Sequence, residues 1–281
     1  MERLLLIVAF VACGWNCYAE NSDVAANNPR FDQFYTVDEQ ATNNLQSTSM
    51  NPVKAAEDFF NQATQVSQEI RSQVISLLKF DHHAEEYGNV GEPYNRKNHF
   101  GGWLRDKTDG TCLNTRGKVL VRDSKTPAEI SNCLVSRGEW DEPYKGQVET
   151  RAQDIQIDHF VPLKNAYVSG AWRWNFAKRC LYANFLGNDF HLLSVDGHEN
   201  MSKSDNTPEL YMPPNEAYRC QYLQQWLKVK LIWNLGLTPP EKSAVESLIQ
   251  QNHCDLSRFT YTVKDLEDQR RFMADHANLC D

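Results

Sequence analysis

Two runs of this chain decide how the rest is read: Ile155-Gln156-Ile157-Asp158-His159-Phe160-Val161-Pro162-Leu163, and His191-Leu192-Leu193-Ser194-Val195-Asp196-Gly197-His198-Glu199-Asn200-Met201-Ser202-Lys203-Ser204-Asp205-Asn206. In the first, Ile155 and Ile157 alternate with polar neighbours, the period of a short strand, and the strand ends on Asp158-His159. In the second, Phe190 to Val195 is again a short apolar strand, and Asp196-Gly197 turns the chain. His198 to Ser204 then reads as a helix that Pro208 ends, carrying Asn200 and Lys203. Two strands and a helix are thereby expected to bring a carboxylate, an imidazole, a carboxamide and an ammonium into one neighbourhood.

Those groups suit the hydrolysis of a phosphodiester. Water must lose a proton to a base, and charge on the phosphate and the leaving oxygen must be held by a cation. A neutral histidine is the natural base near neutral pH. Asp158 and Asn200 each offer a hard oxygen, and two protein ligands suit magnesium, which keeps water and substrate in its remaining positions. Against this stand blander readings: Asp158-His159 as a strand-end ion pair, and Asn200 as a helix cap.

Outward from the centre, Leu134-Val135-Ser136, the turn residues Asp141 to Gly146, and Gln147 to Thr150 predict a β-hairpin over 133–151. Cys112 to Val121 is a short helix or strand, 164–190 a helix, and helical periodicity returns over 215–235 and 240–251. Upstream, Asn51-Pro52 is a helix start, and Phe59, Ala63, Val66, Ile70, Val74 and Leu77 recur at helical steps, which predicts one amphipathic helix over 52–79. Asp81-His82-His83 reads as a polar helix end rather than a metal cluster.

The chain has 281 residues and a formal charge of −8, which at first argues against a polyanionic partner. The distribution matters more. From residue 94 to 240 there are 19 Lys and Arg against 16 Asp and Glu, a balance of +3, leaving 10 against 21 in the flanks. The central region is therefore mildly basic and permits phosphate binding. The start, Met-Glu-Arg then Leu4 to Val11, is a secretory signal with cleavage expected after Ala19. A periplasmic protein, or a lipoprotein anchored at Cys13, is the lesser alternative. No run is long enough to span a bilayer. Six cysteines then remain, and an exported chain oxidises such a set. They allow about 15 pairings; proximity favours Cys112–Cys133 and Cys220–Cys254, leaving Cys180–Cys280.

The Ile157–Leu163 and Asn200–Asn206 segments resemble the HNH, or ββα-metal, nucleases. Ser169-Gly170-Ala171-Trp172, Arg179 and Tyr182-Ala183-Asn184 resemble one branch of them, which holds secreted HNH proteins and the C-terminal nuclease domain of GmrSD-type restriction enzymes. Phe100-Gly101-Gly102-Trp103, Thr115-Arg116, Pro143-Tyr144, and Lys203 followed by Pro208 extend the likeness over roughly 94–255. The resemblance implies His159 as general base, Asp158 and Asn200 as metal ligands, and Lys203 as a phosphate contact. It places His191 where the family has the asparagine that orients the catalytic loop, so His191 stands as a further catalytic candidate or as a structural histidine. Arg116, Arg173, Lys178 and Arg179 are candidate phosphate contacts. Asn200-Met201-Ser202 is also an N-glycosylation pattern, and a glycan there would block the proposed ligand.

The resulting expectation is an α+β protein with a ββα-metal (HNH) core, surrounding helices, disulfide staples and an N-terminal amphipathic helix. Its segments are a signal peptide 1–19, a disordered leader 20–50, a helical segment 51–93, the nuclease domain 94–255 and a C-terminal extension 256–281. The expected activity is secreted, metal-dependent endonucleolytic hydrolysis, with Mg2+ (or Mn2+) as cofactor and DNA, or else RNA, as substrate. The alternative is an inactive extracellular nucleic-acid-binding protein of the same fold. Oligomeric state is left open. A metalloprotease is disfavoured, since no His-Glu-x-x-His occurs.

Overall fold

A computed structural model describes residue 61, residues 73–79 and residues 90–280. The chain divides into two units, Met1–Asn61 and Gln62–Asp281, and the architecture below is that of the second. The expected signal peptide, the leader and the Asp81-His82-His83 cluster lie outside the described residues. So does nearly all of the expected helix 52–79.

The end of that helix is corrected. Val74–Ser76 is a strand, β1, because it pairs antiparallel with a strand at Thr260–Thr262, in register Val74↔Thr262 to Ser76↔Thr260. Its β-branched Val74 and Ile75 accept either periodicity, and the distant partner decides between them.

The elements that follow are α1 (Arg96–Phe100), α2 (Thr115–Asp123), β2 (Glu129–Ser131), β3 (Leu134–Glu142), β4 (Gln147–Arg151) and β5 (Ile155–His159). Then come α3 (Leu163–Val168), a 3-10 turn, α4 (Phe176–Ala183), β6 (Leu192–Asp196) and α5 (Gly197–Lys203). The chain closes with α6 (Glu216–Trp233), α7 (Pro239–Gln251), β7 (Thr260–Thr262) and α8 (Val263–Asp275). This is a mixed α/β protein with three small antiparallel sheets, β1-β7, β2-β3-β4 and β5-β6. Among the described residues no helix is long and apolar enough to cross a membrane.

Most of the large side chains gather around α6, where Tyr222, Trp226, Val229 and Trp233 share one face and Leu223, Leu227, Leu231 and Ile232 are buried on the others. A helix that is apolar all round belongs inside a core. A smaller cluster, Val119, Leu120, Trp140, Ile155, Ile157 and Leu192, lies between α2 and the strands.

The sheet β5-β6 runs in register from Ile155↔Asp196 to His159↔Leu192, and α5 follows β6 directly. Alternation turns Gln156 and Asp158 to one face of β5, and Asn200 and Lys203, three apart on α5, bond to those two residues. Asp196 fixes the start of α5: its side chain accepts from Glu199 N and pairs with Lys145 at 2.9 Å.

The hairpin β3-β4 turns through Pro143–Gly146, with Gly146 at φ +73°, and the Glu142 carboxylate accepts from the backbone N–H of Tyr144 and Lys145 at 2.6 and 2.7 Å. That turn drives the Tyr144 ring fully inside. Three disulfides form, Cys112–Cys133 and Cys220–Cys254 as proximity favoured and Cys180–Cys280 as the pair left over.

Candidate active site

Asp158, His159 and Asn200 line one cleft of about 400 Å³, with Tyr94, Arg96 and Lys164 around its rim. The His159 ring is nearly buried and lies parallel to Trp103, with centroids 5.0 Å apart. Its Nε2 donates to the carbonyl of Ala183 at 3.0 Å. A carbonyl can only accept, so the proton of the neutral ring sits on Nε2 and Nδ1 carries the lone pair. Burial, the largest influence, holds the imidazole down at about 3, aided by the charge of Arg96. His159 is therefore neutral at physiological pH, in one tautomer, and able to accept a proton.

Asp158 is held from two sides. Tyr144 Oη donates to Oδ2 at 2.6 Å, and Lys203 Nζ donates to Oδ1 at 2.9 Å and to the His159 carbonyl at 3.3 Å. Lys203 has no exposed surface at all. Burial raises the Asp158 carboxyl and lowers the Lys203 ammonium, and each opposes the other's shift by its charge. A charge in such a place persists only when paired, and this one is.

Among the described residues no three His, Cys, Asp or Glu side chains converge as a metal cluster. The oxygens at the cleft are those of Asp158 and Asn200. Each Asp158 oxygen accepts one hydrogen bond from a side chain and keeps a second lone pair. Asn200 Nδ2 donates to Gln156 Oε1 at 2.8 Å, which leaves the Asn200 Oδ1 for another partner. Two hard oxygens fit a magnesium-like ion that completes its shell with water and substrate, and they do not fit zinc.

The remaining expected residues lie elsewhere. His191 is buried behind the cleft, its Nε2 donating to the Tyr182 carbonyl at 2.7 Å and its Nδ1 without a partner among the described residues. Burial lowers it to about 4. His159 at the end of β5 and His191 just before β6 thus grip consecutive carbonyls at the end of α4, His191 at Tyr182 and His159 at Ala183. Lys203 faces Asp158 and not the cleft. Arg116 donates to the carbonyls of Ala152 and Ile155 at 2.8 and 2.9 Å. Arg179 donates to those of His99 and Trp174. Lys178 lies 4.5 Å over the Trp174 ring, and Arg173 is exposed beside Trp172. None of these four lines the cleft.

The cations that do line it are Arg96, exposed on the first turn of α1, and Lys164, which pairs with Asp205. Lys164 follows the Asp158–Leu163 run directly, so its place could have been read. No local signal marks Arg96, whose position depends on packing α1 against α4. Asn184 sets Trp103 in turn, accepting from Leu104 N at 2.9 Å and Thr115 Oγ1 at 2.6 Å while donating to the Gly102 carbonyl.

Residues 118–242 match the family described as GmrSD restriction endonucleases, C-terminal domain. A protein of Arthroderma benhamiae, described as an uncharacterized secreted protein, is 41% identical over 154 residues, which cover 53% of this chain and 74% of that protein. No solved structure matches the chain.

Proposed function

From the premise that the chain belongs to the family of the GmrSD restriction endonuclease C-terminal domain, we propose that it is a metal-dependent HNH endonuclease working outside the cell that makes it. Its first substrate is DNA, with RNA as the second class to test. The observation that carries the proposal is the state of His159: neutral, fixed by the Ala183 carbonyl, and in the same cleft as Asp158 and Asn200. In this reading β5, β6 and α5 are the ββα-metal unit.

Nδ1 of His159 takes the proton from the attacking water, and Trp103 keeps the ring from turning. A base held at about 3 is weak when the cleft holds no anion. A bound phosphate brings negative charge beside the imidazole and raises its affinity for the proton. A divalent ion held by Asp158 and Asn200 would stabilise charge on the phosphate and the leaving oxygen. Tyr144 and Lys203 keep the Asp158 carboxylate in place, and Arg96 offers its guanidinium to the phosphate. Three disulfides suit an oxidising, extracellular setting.

A second reading, an inactive nucleic-acid-binding protein of the same fold, draws on Asp158 itself, since both of its oxygens are already bonded to buried groups. Plasmid DNA with magnesium or manganese, with chelator, and with His159→Ala separates the two. Cleavage that needs the ion and falls at least about 100-fold in the variant supports the nuclease. Equal cleavage by the variant removes His159 as base, and binding without cleavage under every ion favours the second reading.

A further inference from the structure

A hollow of about 380 Å³ opens on the β3-β4 hairpin, away from the cleft, and Arg116, Arg137 and Arg151 line it with Leu134, Ser136 and Gln153. None of its lining residues is acidic. Arg137 and Arg151 are partners in register across the two strands. Like charges directly opposite one another in a sheet repel, and here the repulsion is only partly relieved. Arg151 pairs with Asp154 at 2.6 Å. Arg137 is exposed and makes no ion pair among the described residues, although Glu129 is its register partner on β2. Arg116 is half-buried, and its guanidinium meets two carbonyls and no carboxylate. Three guanidinium groups thus face one space with a single carboxylate between them.

The turn that joins β2 to β3 beside the hollow is also firmly built. Asn132 and Cys133 both take positive φ, 50° and 63°, as a two-residue turn of this hand requires, and Cys133 is bonded to Cys112. The hollow and the cleft share no lining residue, but the surface between them is grooved. An adjoining depression shares Arg151 and Gln153 with the hollow and runs to Gln156 and His198, past Glu149 and past Asp154 and Asp196, which Arg151 and Lys145 neutralise. Gln156 is the residue that bonds Asn200 of the cleft. From Gln153 to Asp158 the backbone spans at most roughly 17 Å, about five steps of a stacked nucleotide strand at ~3.4 Å each.

We infer that this hollow is a phosphate-binding subsite that holds the backbone of the nucleic-acid strand within about five nucleotides of the bond at the cleft. Arginine is suited to this through its planar donor fork. Leu134, 69% exposed beside the guanidinium groups, offers apolar surface to a sugar or base, which a free phosphate would not use. The inference rests on the nuclease reading for the strand's path, and its test does not depend on cleavage.

The test uses the full oxidised chain carrying His159→Ala, with fluorescent DNA oligonucleotides of 4 and 20 nucleotides, and compares it with the same chain also carrying Arg137→Glu and Arg151→Glu. The expected result is that the 20-mer loses at least about tenfold in affinity while the 4-mer is unchanged. The slope of log affinity against log salt for the 20-mer should fall by about 1.4, or ~0.7 for each lost phosphate contact. Equal loss for both lengths, or an unchanged slope, overturns the subsite. Polyglutamate of equal charge that binds as tightly as the 20-mer, with the same loss in the variant, overturns its assignment to nucleic acid. Plasmid cleavage by chains with His159 intact reads the nuclease proposal separately: if no cleavage occurs but the length and salt effects persist, the subsite stands and the nuclease reading falls.

Discussion

Lowering the pH from about 7.5 to about 5.0 should strip roughly 4 kcal/mol from the folding stability, through two buried histidines. His159 and His191 are held by burial at about 3 and about 4. An unfolded imidazole titrates near ~6.5. A base whose folded pKa lies below its unfolded value binds fewer protons in the folded state. Its contribution is therefore complete above about pH 6.5 and is lost as the pH falls from there toward the folded values. At pH 5.0 each unfolded imidazole has gained about 1.5 pH units of protonation free energy, ~2 kcal/mol, while both folded rings remain neutral. The carboxyls that pairing or hydrogen bonding depresses, Asp109, Asp196 and Asp205 among them, weaken the fold only as the pH falls below about 4. Asp158 and Glu142, whose carboxyls burial raises, act in the opposite direction but equally in the wild type and in a His191 variant, so the comparison between the two isolates His191. Urea denaturation at the two pH values measures the loss, and His191→Asn, whose amide can still donate to the Tyr182 carbonyl, should halve it to about 2 kcal/mol. Each protein serves as its own reference, so the intrinsic effect of the substitution cancels. If the variant loses as much as the wild type between the two pH values, His191 is not held neutral and the reasoning fails.

Three further outcomes follow from named contacts. Lys203→Met leaves the buried Asp158 carboxylate without its cation and should cost about 3–5 kcal/mol, and adding Asp158→Asn should restore part of that; identical melting temperatures for the single and double variants would show that the pair is not coupled. Tyr144→Phe removes the hydrogen bond to Asp158 Oδ2 and should cost about 1–3 kcal/mol in denaturation. If Asp158 holds the ion, the magnesium needed for half-maximal cleavage should rise by about 10–100-fold, and an unchanged requirement would separate Tyr144 from the metal. Replacing Cys180 and Cys280 by serine opens a link across 100 residues and should lower stability by about 4–5 kcal/mol, read from the denaturation midpoint; an unchanged midpoint would mean that the link does not restrict the unfolded chain.

What could be read from the sequence was local. The strand carrying Asp158-His159, the strand ending at Asp196, the helix carrying Asn200 and the hairpin turn at Pro143–Gly146 all declare themselves by period and punctuation over a few residues. Side-chain alternation then brings Asp158, Gln156, Asn200 and Lys203 together. The disulfides followed from proximity because two of the three close loops of 21 and 34 residues. What could not be read was set by partners far away in the chain. Val74 and Ile75 fit a helical pattern until Thr260–Thr262 claims them as a strand. Arg116, Arg179 and Lys203 look like free cations in a string of letters, yet their donors meet carbonyls and a carboxylate that only the fold brings near. Arg96 reaches the cleft with no motif to announce it. Charge is visible in a sequence; whether it is already neutralised is not.

The Lys203–Asp158 pair also bears on how the protein tolerates ion-poor surroundings. Many metal sites gather several carboxylates, which repel one another once the ion leaves, so the fold falls with the metal. Here the carboxylate that would receive the ion already has a permanent, buried counter-charge and a tyrosine hydroxyl on its other oxygen. On the proposed reading, a metal arriving there would join a centre that is electrically balanced without it. A chelator would then stop cleavage and leave the melting temperature unchanged.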